Sequence, residues 1–328
     1  MRRRRWARGG KLALLVGPLA LVLSGCSAHD VEKKLRFGWP TGVTEQATKM
    51  RVLWSWTGVT ALAVGVVVWS LIFWCCIRYR KKNDELPRQT KYNLPVEIVY
   101  SILPFVFIAG LFYRTVAVEN DVNKLSANPQ VTIQVDAFKW NWQFEYKSVL
   151  QNGVEIPQVY KDATTTDANG KTVPLNLSTI GSDDEIPVLV IPKGETVQFV
   201  EHSEDVIHSF WVPEFLFKRD ILPYGTTATT RDNKFEITAT SEGSFVGRCA
   251  ELCGTYHSQM NFEVRVVSPE DFQRYLTKLG SLPATDPTRQ SESLTAMSDP
   301  TLNKPYATTT YPFNTSRTDR SASQNPGN

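Results

Sequence analysis

Four side chains with soft or borderline donor atoms crowd the end of the folded part of the sequence: Cys249, Cys253, His257 and Met260, in the order Cys-x-x-x-Cys-x-x-x-His-x-x-Met. Sulfur donors select copper over magnesium or calcium, imidazole completes a first shell, and a thioether is the weak axial ligand of electron-transfer copper rather than of zinc. A second imidazole stands upstream at His208, in Ser203-Glu-Asp-Val-Ile-His208-Ser-Phe. Two thiolates bridge two copper ions only if each ion also has its own terminal ligand, and His208 and His257 supply one apiece. The set points to two copper ions held for electron transfer, a chemistry that needs no substrate pocket. Two simpler readings use fewer of the residues: a Cys249–Cys253 disulfide, as oxidising compartments favour, and a structural zinc on a Cys2His2 set. Neither gives Met260 a role.

With these motifs and the aromatic run Lys139-Trp-Asn-Trp-Gln-Phe-Glu-Tyr146, the chain resembles subunit II of the haem-copper cytochrome c oxidases, of the bacterial aa3 type, over roughly residues 50 to 280. The resemblance implies a binuclear CuA centre on His208, Cys249, Glu251, Cys253, His257 and Met260. In it Glu251 lends a backbone carbonyl to one copper, and its side chain reaches a Mg or Mn ion shared with subunit I. Trp140 takes the position at which electrons enter, with Trp142 two residues on along the same strand. Glu145, Glu204, Asp205 and Asp220 fall where carboxylates steer a basic cytochrome c, or a cytochrome c domain of a bc-type complex, by long-range attraction. Electrons then pass to subunit I, which carries haem a, haem a3 and CuB and assembles with subunit III, for oxygen reduction coupled to proton pumping. Glu97 falls at the mouth of a proton path into subunit I. The sequence has no Cys-x-x-Cys-His, so no haem is expected in this chain and the donor is another protein.

The elements that must position these residues are unevenly spread over the 328 residues. Arg2 to Arg5, Arg8 and Lys11 form a basic start, Leu12 to Leu23 an apolar stretch too short to span a bilayer, and Leu23-Ser-Gly-Cys26 follows. Residues 1–25 read as a lipoprotein signal, with Cys26 the lipidated start of a mature chain whose segment 26–51 lies on the outer face. The 26 residues from Val52 to Ile77 carry no charge, and a second apolar run covers Leu94 to Tyr113. Each suffices for a transmembrane helix, so residues 52–117 read as a hairpin in the bacterial cell membrane. Arg78, Arg80, Lys81, Lys82, Arg88 and Lys91 outnumber Asp84 and Glu85 between the spans, which places that loop in the cytoplasm and both outer ends outside. Glu97, the one charge in the second span, is either functional or a carboxylate stabilised at a helix N-terminus. The formal charge of +3 comes mostly from the signal and this loop and gives no argument for nucleic acid.

Beyond Glu119 the apolar period becomes two. Val131, Ile133 and Val135 alternate, then Phe138, Trp140, Trp142, Phe144 and Tyr146 line one side, and Val188 to Ile191 and Phe235 to Thr240 read as further strands. The expectation for 118–280 is an antiparallel, cupredoxin-like Greek-key sandwich with a polar insertion at about 147–186. Ser268-Pro-Glu-Asp271 reads as the capped start of a helix stopping at Gly280. Residues 281–328, rich in Ser, Thr, Pro, Asn and Asp, are expected to be disordered. Three other classes share features with the chain. A quinol oxidase subunit II has the same layout without copper. A copper-delivery protein of thioredoxin fold uses Cys-x-x-x-Cys and a distant His. Nitrous oxide reductase carries CuA beside a catalytic domain for which this chain has no room.

Overall fold

The computed structural model describes residues 36, 38–81, 83–86, 89–151, 154–155, 164–166, 172–174, 177–223 and 233–310. The signal segment 1–25 and Cys26 lie outside the described residues, as do residues 311–328. The described residues form two compact units, one of Arg51–Phe112 with the described residues before Thr41, the other of Thr41–Met50 and the described residues from Tyr113 on.

The first unit contains most of two helices, α1 (Glu45–Arg78) and α2 (Leu94–Val122), both long and apolar enough to cross a membrane. Their 34 and 29 residues overrun the apolar stretches Val52–Ile77 and Leu94–Tyr113. Once a helix is nucleated each further residue adds a hydrogen bond, so polar flanks prolong it. Trp69, Phe73, Trp74, Phe105 and Phe112 are exposed within the chain, as side chains facing lipid or other subunits would be. Near the start of α1, Trp39 and Trp54 stack with ring centroids 4.8 Å apart, and Trp54 Nε1 donates to the Arg36 carbonyl at 3.0 Å.

The second unit is a sandwich. Its strands are β1 (Val131–Phe138), β2 (Asn141–Gln151), β3 (Val154–Glu155), β4 (Thr164–Thr166), β5 (Thr172–Pro174), β6 (Ser178–Ile180), β7 (Val188–Pro192), β8 (Thr196–Ser203), β9 (His208–Val212), β10 (Phe217–Ile221), β11 (Lys234–Thr238), β12 (Gly243–Cys249) and β13 (Asn261–Val267). One sheet has the order β11-β8-β1-β2-β3 with β6 on β2, the other β10-β9-β12-β13-β7, and β4 pairs with β5 alone. Consecutive strands β7, β8 and β9 alternate between the sheets, so same-sheet neighbours can arrive in parallel through a crossover. β1 with β8 and β13 with β7 do so, and the sandwich is mixed rather than wholly antiparallel.

In the layer between the sheets aromatic side chains pack, Phe199 on Phe235 at 4.7 Å within one sheet, Phe210 on Phe262 at 4.7 Å within the other, and Trp142 on Phe262 at 5.0 Å across the two, between centroids. Burying each such ring contributes about 1.5–3 kcal/mol. Trp142, Phe144 and Tyr146 are core, whereas Trp140 sits half-buried in the turn between β1 and β2. The aromatic run therefore does not share one exposed face.

Two expectations about the ends of the domain are corrected. The excursion after β2 is narrower than 147–186, because Leu177, Ser178, Thr179 and Ile186 are buried and β6 pairs with β2. The tail is ordered as far as Thr310. Helix α3 (Pro269–Ser281), whose Ser268 cap accepts the Asp271 amide at 3.2 Å, is followed by α4 (Arg289–Thr295), with Leu294, Met297, Leu302 and Ala307 buried. Composition is a poor guide here because the tail is held by polar groups as well as apolar ones. Buried Arg265 on β13 donates to Glu263 at 2.7 Å and to the carbonyls of Leu302, Lys304 and Tyr306, while Glu263 accepts the amides of Thr308 and Thr309. Gln290 from α4 accepts the Val188 amide at 2.8 Å and Tyr146 Oη accepts the Val190 amide at 3.0 Å, closing the edge strand β7. An exposed edge would invite pairing with other chains.

Candidate metal centre

β12 ends at Cys249, and the loop to β13 carries Cys253, a 3-10 turn over His257–Gln259, and Met260. His208 opens β9, the strand beside β12, where Phe210 pairs with Cys249. Two strand ends and one loop thus deliver all the donors to one place. The Cys249 and Cys253 sulfurs are 3.8 Å apart. His208 Nδ1 lies 3.8 Å from Cys249 Sγ, His257 Nδ1 3.5 Å from Cys253 Sγ, and Met260 Sδ 3.7 Å from Cys253 Sγ. The Glu251 carbonyl oxygen is 3.2 Å from Cys249 Sγ, and its side chain is half-buried at the domain surface. Both cysteines, Met260 and His208 are buried, and His257 is half-buried. The cysteines are free thiols, which removes the disulfide reading.

The electrostatics divide the two sulfurs. The hydrogen bond from Cys253, followed by that from His208, outweighs burial and lowers the Cys249 pKa, while the same contact with Cys249, with burial, raises that of Cys253. Burial opposes charge on His208, yet hydrogen bonds with Cys249 and Asp205 raise its pKa above the ordinary histidine value. The cause is visible in the geometry. Asp205 Oδ1 lies 2.8 Å from His208 Nε2, and Asp205 also accepts the amides of Lys139 at 2.8 Å and Val206 at 2.6 Å. Those contacts outweigh burial and hold the Asp205 carboxyl below its ordinary range. A carboxylate on the far nitrogen fixes a ligand imidazole's tautomer and orientation. Asp205 is thus built into the site as the partner of His208, whereas the sequence reading placed it among the donor-steering carboxylates. The other carboxylates are free of the centre: Glu204 is exposed and 3.5 Å from His202, Asp220 is exposed on β10, and Glu145 pairs with Lys147 at 2.6 Å.

Trp140 adjoins the centre directly. Its Nε1 donates to the Cys253 carbonyl at 3.1 Å, and its ring meets Tyr256 edge-on at 5.0 Å. Gly254 lies beneath it with φ +120°, where a Cβ would come within 3.2 Å of the indole. Trp142, from the core side, donates Nε1 to the Met260 carbonyl at 3.3 Å. Gly254, Tyr256 and the Trp142 contact were not read from sequence, since none belongs to the donor pattern. Glu97 is remote in sequence, half-buried near the N-terminus of α2, where its carboxylate accepts the Asn93 amide at 2.9 Å.

The sequence profile described as "Cytochrome C oxidase subunit II, periplasmic domain" matches residues 131–267, which hold every one of these donors. A "Probable cytochrome c oxidase subunit 2" of Nocardia farcinica is 46% identical over 98% of this chain and 92% of its own. The chain belongs to the cytochrome c oxidase subunit II family. A "Cytochrome c oxidase subunit 2" of Mycobacterium tuberculosis is 43% identical over 93% of this chain and 89% of its own, and one of Corynebacterium diphtheriae 38% identical over 97% and 96%. The two-helix, cupredoxin-like layout is that of the family, and the chain is a component of a haem-copper oxidase. A two-sheet sandwich also sets aside the thioredoxin-fold delivery protein.

The donor set fits the family's copper. Two thiols, two imidazole Nδ1 atoms and a thioether converge, and among the described residues His208, Cys249 and Cys253 also form the one His/Cys/carboxylate group with ligand atoms all within 4.8 Å.

Proposed function

We propose that this chain holds the binuclear CuA centre of its oxidase and receives electrons from a cytochrome c, or a cytochrome c domain of a bc-type complex, for delivery to the haems of subunit I. One observation carries the reading: the paired sulfurs of Cys249 and Cys253 each have a different histidine Nδ1 beside them, at 3.8 and 3.5 Å. Copper bound there supplies one-electron transfer. Cys249, Cys253, His208, His257, Met260 and the Glu251 carbonyl would hold it, with both thiolates shared and one imidazole on each side of the pair. Burial of the sulfurs and the rigid strand ends limit solvent and ligand reorganisation.

In this reading electrons enter through Trp140, whose hydrogen bond to Cys253 leads straight to a ligand backbone. Glu204 and Asp220, with Glu145, steer the donor, and Asp205 orients His208. The Glu251 side chain is offered to a Mg or Mn ion shared with subunit I, which works with subunit III beside the hairpin. Oxygen reduction and proton pumping belong to the assembled enzyme, in the bacterial cell membrane with the sandwich and a lipidated Cys26 on the outer face. Glu97 opens a proton path from the cytoplasmic side.

Copper per purified full-length chain and the visible spectrum test the core of this proposal. Two coppers, and loss of the binuclear spectrum in Cys253→Ser, are expected. A folded, copper-loaded wild type holding one copper overturns it.

A further inference from the structure

Strand β8 alternates, and the residues it turns into the core are Val197, Phe199, Glu201 and Ser203. Glu201 is out of character there. It is 1% exposed, and among the described residues no group hydrogen-bonds to either of its carboxyl oxygens. An ionised carboxylate buried without a partner is costly, and the usual relief is to bind a proton. Among the described residues, the charged groups that act on Glu201 are neighbours on β10: Arg219, which opposes the effect of burial, and exposed Asp220, which adds to it. Arg219 is committed elsewhere: it donates to Asn123 Oδ1 at 2.9 Å, stacks over Phe217 at 5.2 Å, and its buried Nε also lacks a partner. Asp136 on β1 and Lys234 and Glu236 on β11 pair with His202, Val200 and Gln198, on the opposite face of β8.

The position matters as much as the environment. Phe199 on β8 and Phe210 on β9 meet across the core with centroids 5.5 Å apart. Toward the turn joining these strands, the next core-facing residues are Glu201 on β8 and His208 on β9. One step of two residues along a strand is about 7 Å, so Glu201 follows the Phe199–Phe210 contact by one core-facing step, on the side of the turn that leads into His208.

We propose that Glu201 is a proton-binding site inside the copper domain, and that its proton occupancy is linked to the redox state of the centre. The inference rests on the copper reading above. One electron arriving from a reductant adds a negative charge to the centre, which disfavours the Glu201 carboxylate, and one proton from the medium joins its oxygen to form the acid. On oxidation the electron leaves and the O–H bond gives the proton back. Burial, the largest influence on this group, already pushes it well above the ordinary carboxylate range, and Arg219 offsets only part of that. At an effective dielectric of about 20 and a separation of about 10 Å, one unit of charge changes such an acid equilibrium on the order of tenfold.

Two measurements on the full-length chain decide it. In the copper-loaded protein, the midpoint potential should fall as pH rises through the ionisation range of Glu201, and Glu201→Gln should flatten that dependence with the copper spectrum intact. In the copper-free protein, the infrared carbonyl band of a protonated, non-hydrogen-bonded carboxylic acid should be present at neutral pH and absent in Glu201→Gln. A wild-type potential independent of pH, a slope unchanged in Glu201→Gln, or absence of the band overturns the proposal. If Glu201→Gln does not fold, the wild-type pH dependence and the wild-type band decide alone. A wild type without a two-copper spectrum overturns the copper reading and this linkage together, whereas an intact spectrum with a flat potential overturns the linkage only.

Discussion

The indole Nε1 of Trp140 donates a hydrogen bond of 3.1 Å to the backbone carbonyl of Cys253. A half-buried ring is thereby joined, without intervening side chains, to the peptide of a residue proposed to hold copper. Trp140→Leu should slow reduction of the centre by a cytochrome c at least tenfold, while copper content and donor affinity stay near wild type. Stopped-flow reduction with parallel copper analysis checks this, and unchanged kinetics would leave Trp140 a packing residue.

Gly254 supports the same ring from below. Its φ of +120° is one that L side chains rarely adopt, and an added Cβ would stand 3.2 Å from the indole. Gly254→Ala should therefore cost about 1–2 kcal/mol in backbone strain and displace Trp140. The expected result is slowed reduction with both coppers retained. Tryptophan fluorescence of the copper-free chain reports the displacement separately.

Asp205→Asn removes the charge beside His208. In the metal-free protein the pKa of His208 is raised from 6.5, so its contribution to stability is full below that value and is lost as pH rises through the raised one. The Asp205 carboxyl is lowered from 3.8, so its contribution is present above that value and is lost as pH falls through the lowered one. The substitution should cost about 1 kcal/mol between these limits, toward the low end for a charged hydrogen bond because Asp205 is partly exposed. Denaturation of the metal-free chain at pH 5 and pH 9 should show the loss mainly at pH 5. Copper affinity should fall roughly 10–100-fold, as for other carboxylates behind a ligand histidine.

Arg265→Met strips the buried partner from Glu263 and three donors from the tail carbonyls. Breaking a buried pair from one side costs about 3–5 kcal/mol. The tail between Met297 and Thr310 should become sensitive to protease before the sandwich does. A protease-resistant tail in the variant would show that its apolar contacts suffice.

Glu97→Gln separates two roles, because an amide oxygen can still accept the Asn93 amide that the carboxylate holds at 2.9 Å. Assembly and copper reduction should stay normal while oxidase turnover slows. Wild-type turnover would leave only the helix-end role.

Local chemistry was legible in the sequence wherever one segment carried a whole signal. The donor spacing from Cys249 to Met260, the uncharged run Val52 to Ile77, the alternation of Val131, Ile133 and Val135, and the cap at Ser268 are all near-neighbour patterns, because ligand type, helix rise and strand pleat repeat over a few residues. Tertiary structure decided what depends on partners far along the chain. Asp205 looked like a surface carboxylate until folding set it against His208 and the Lys139 amide, and Trp142 looked like a twin of Trp140 until the turn put one in the core and the other over Gly254. The polar tail looked unable to fold because composition counts apolar area, whereas its order comes from Arg265, Glu263 and Gln290 meeting its backbone. Glu201 reads as one more polar residue in a polar stretch; only the face that β8 turns inward makes it a buried acid.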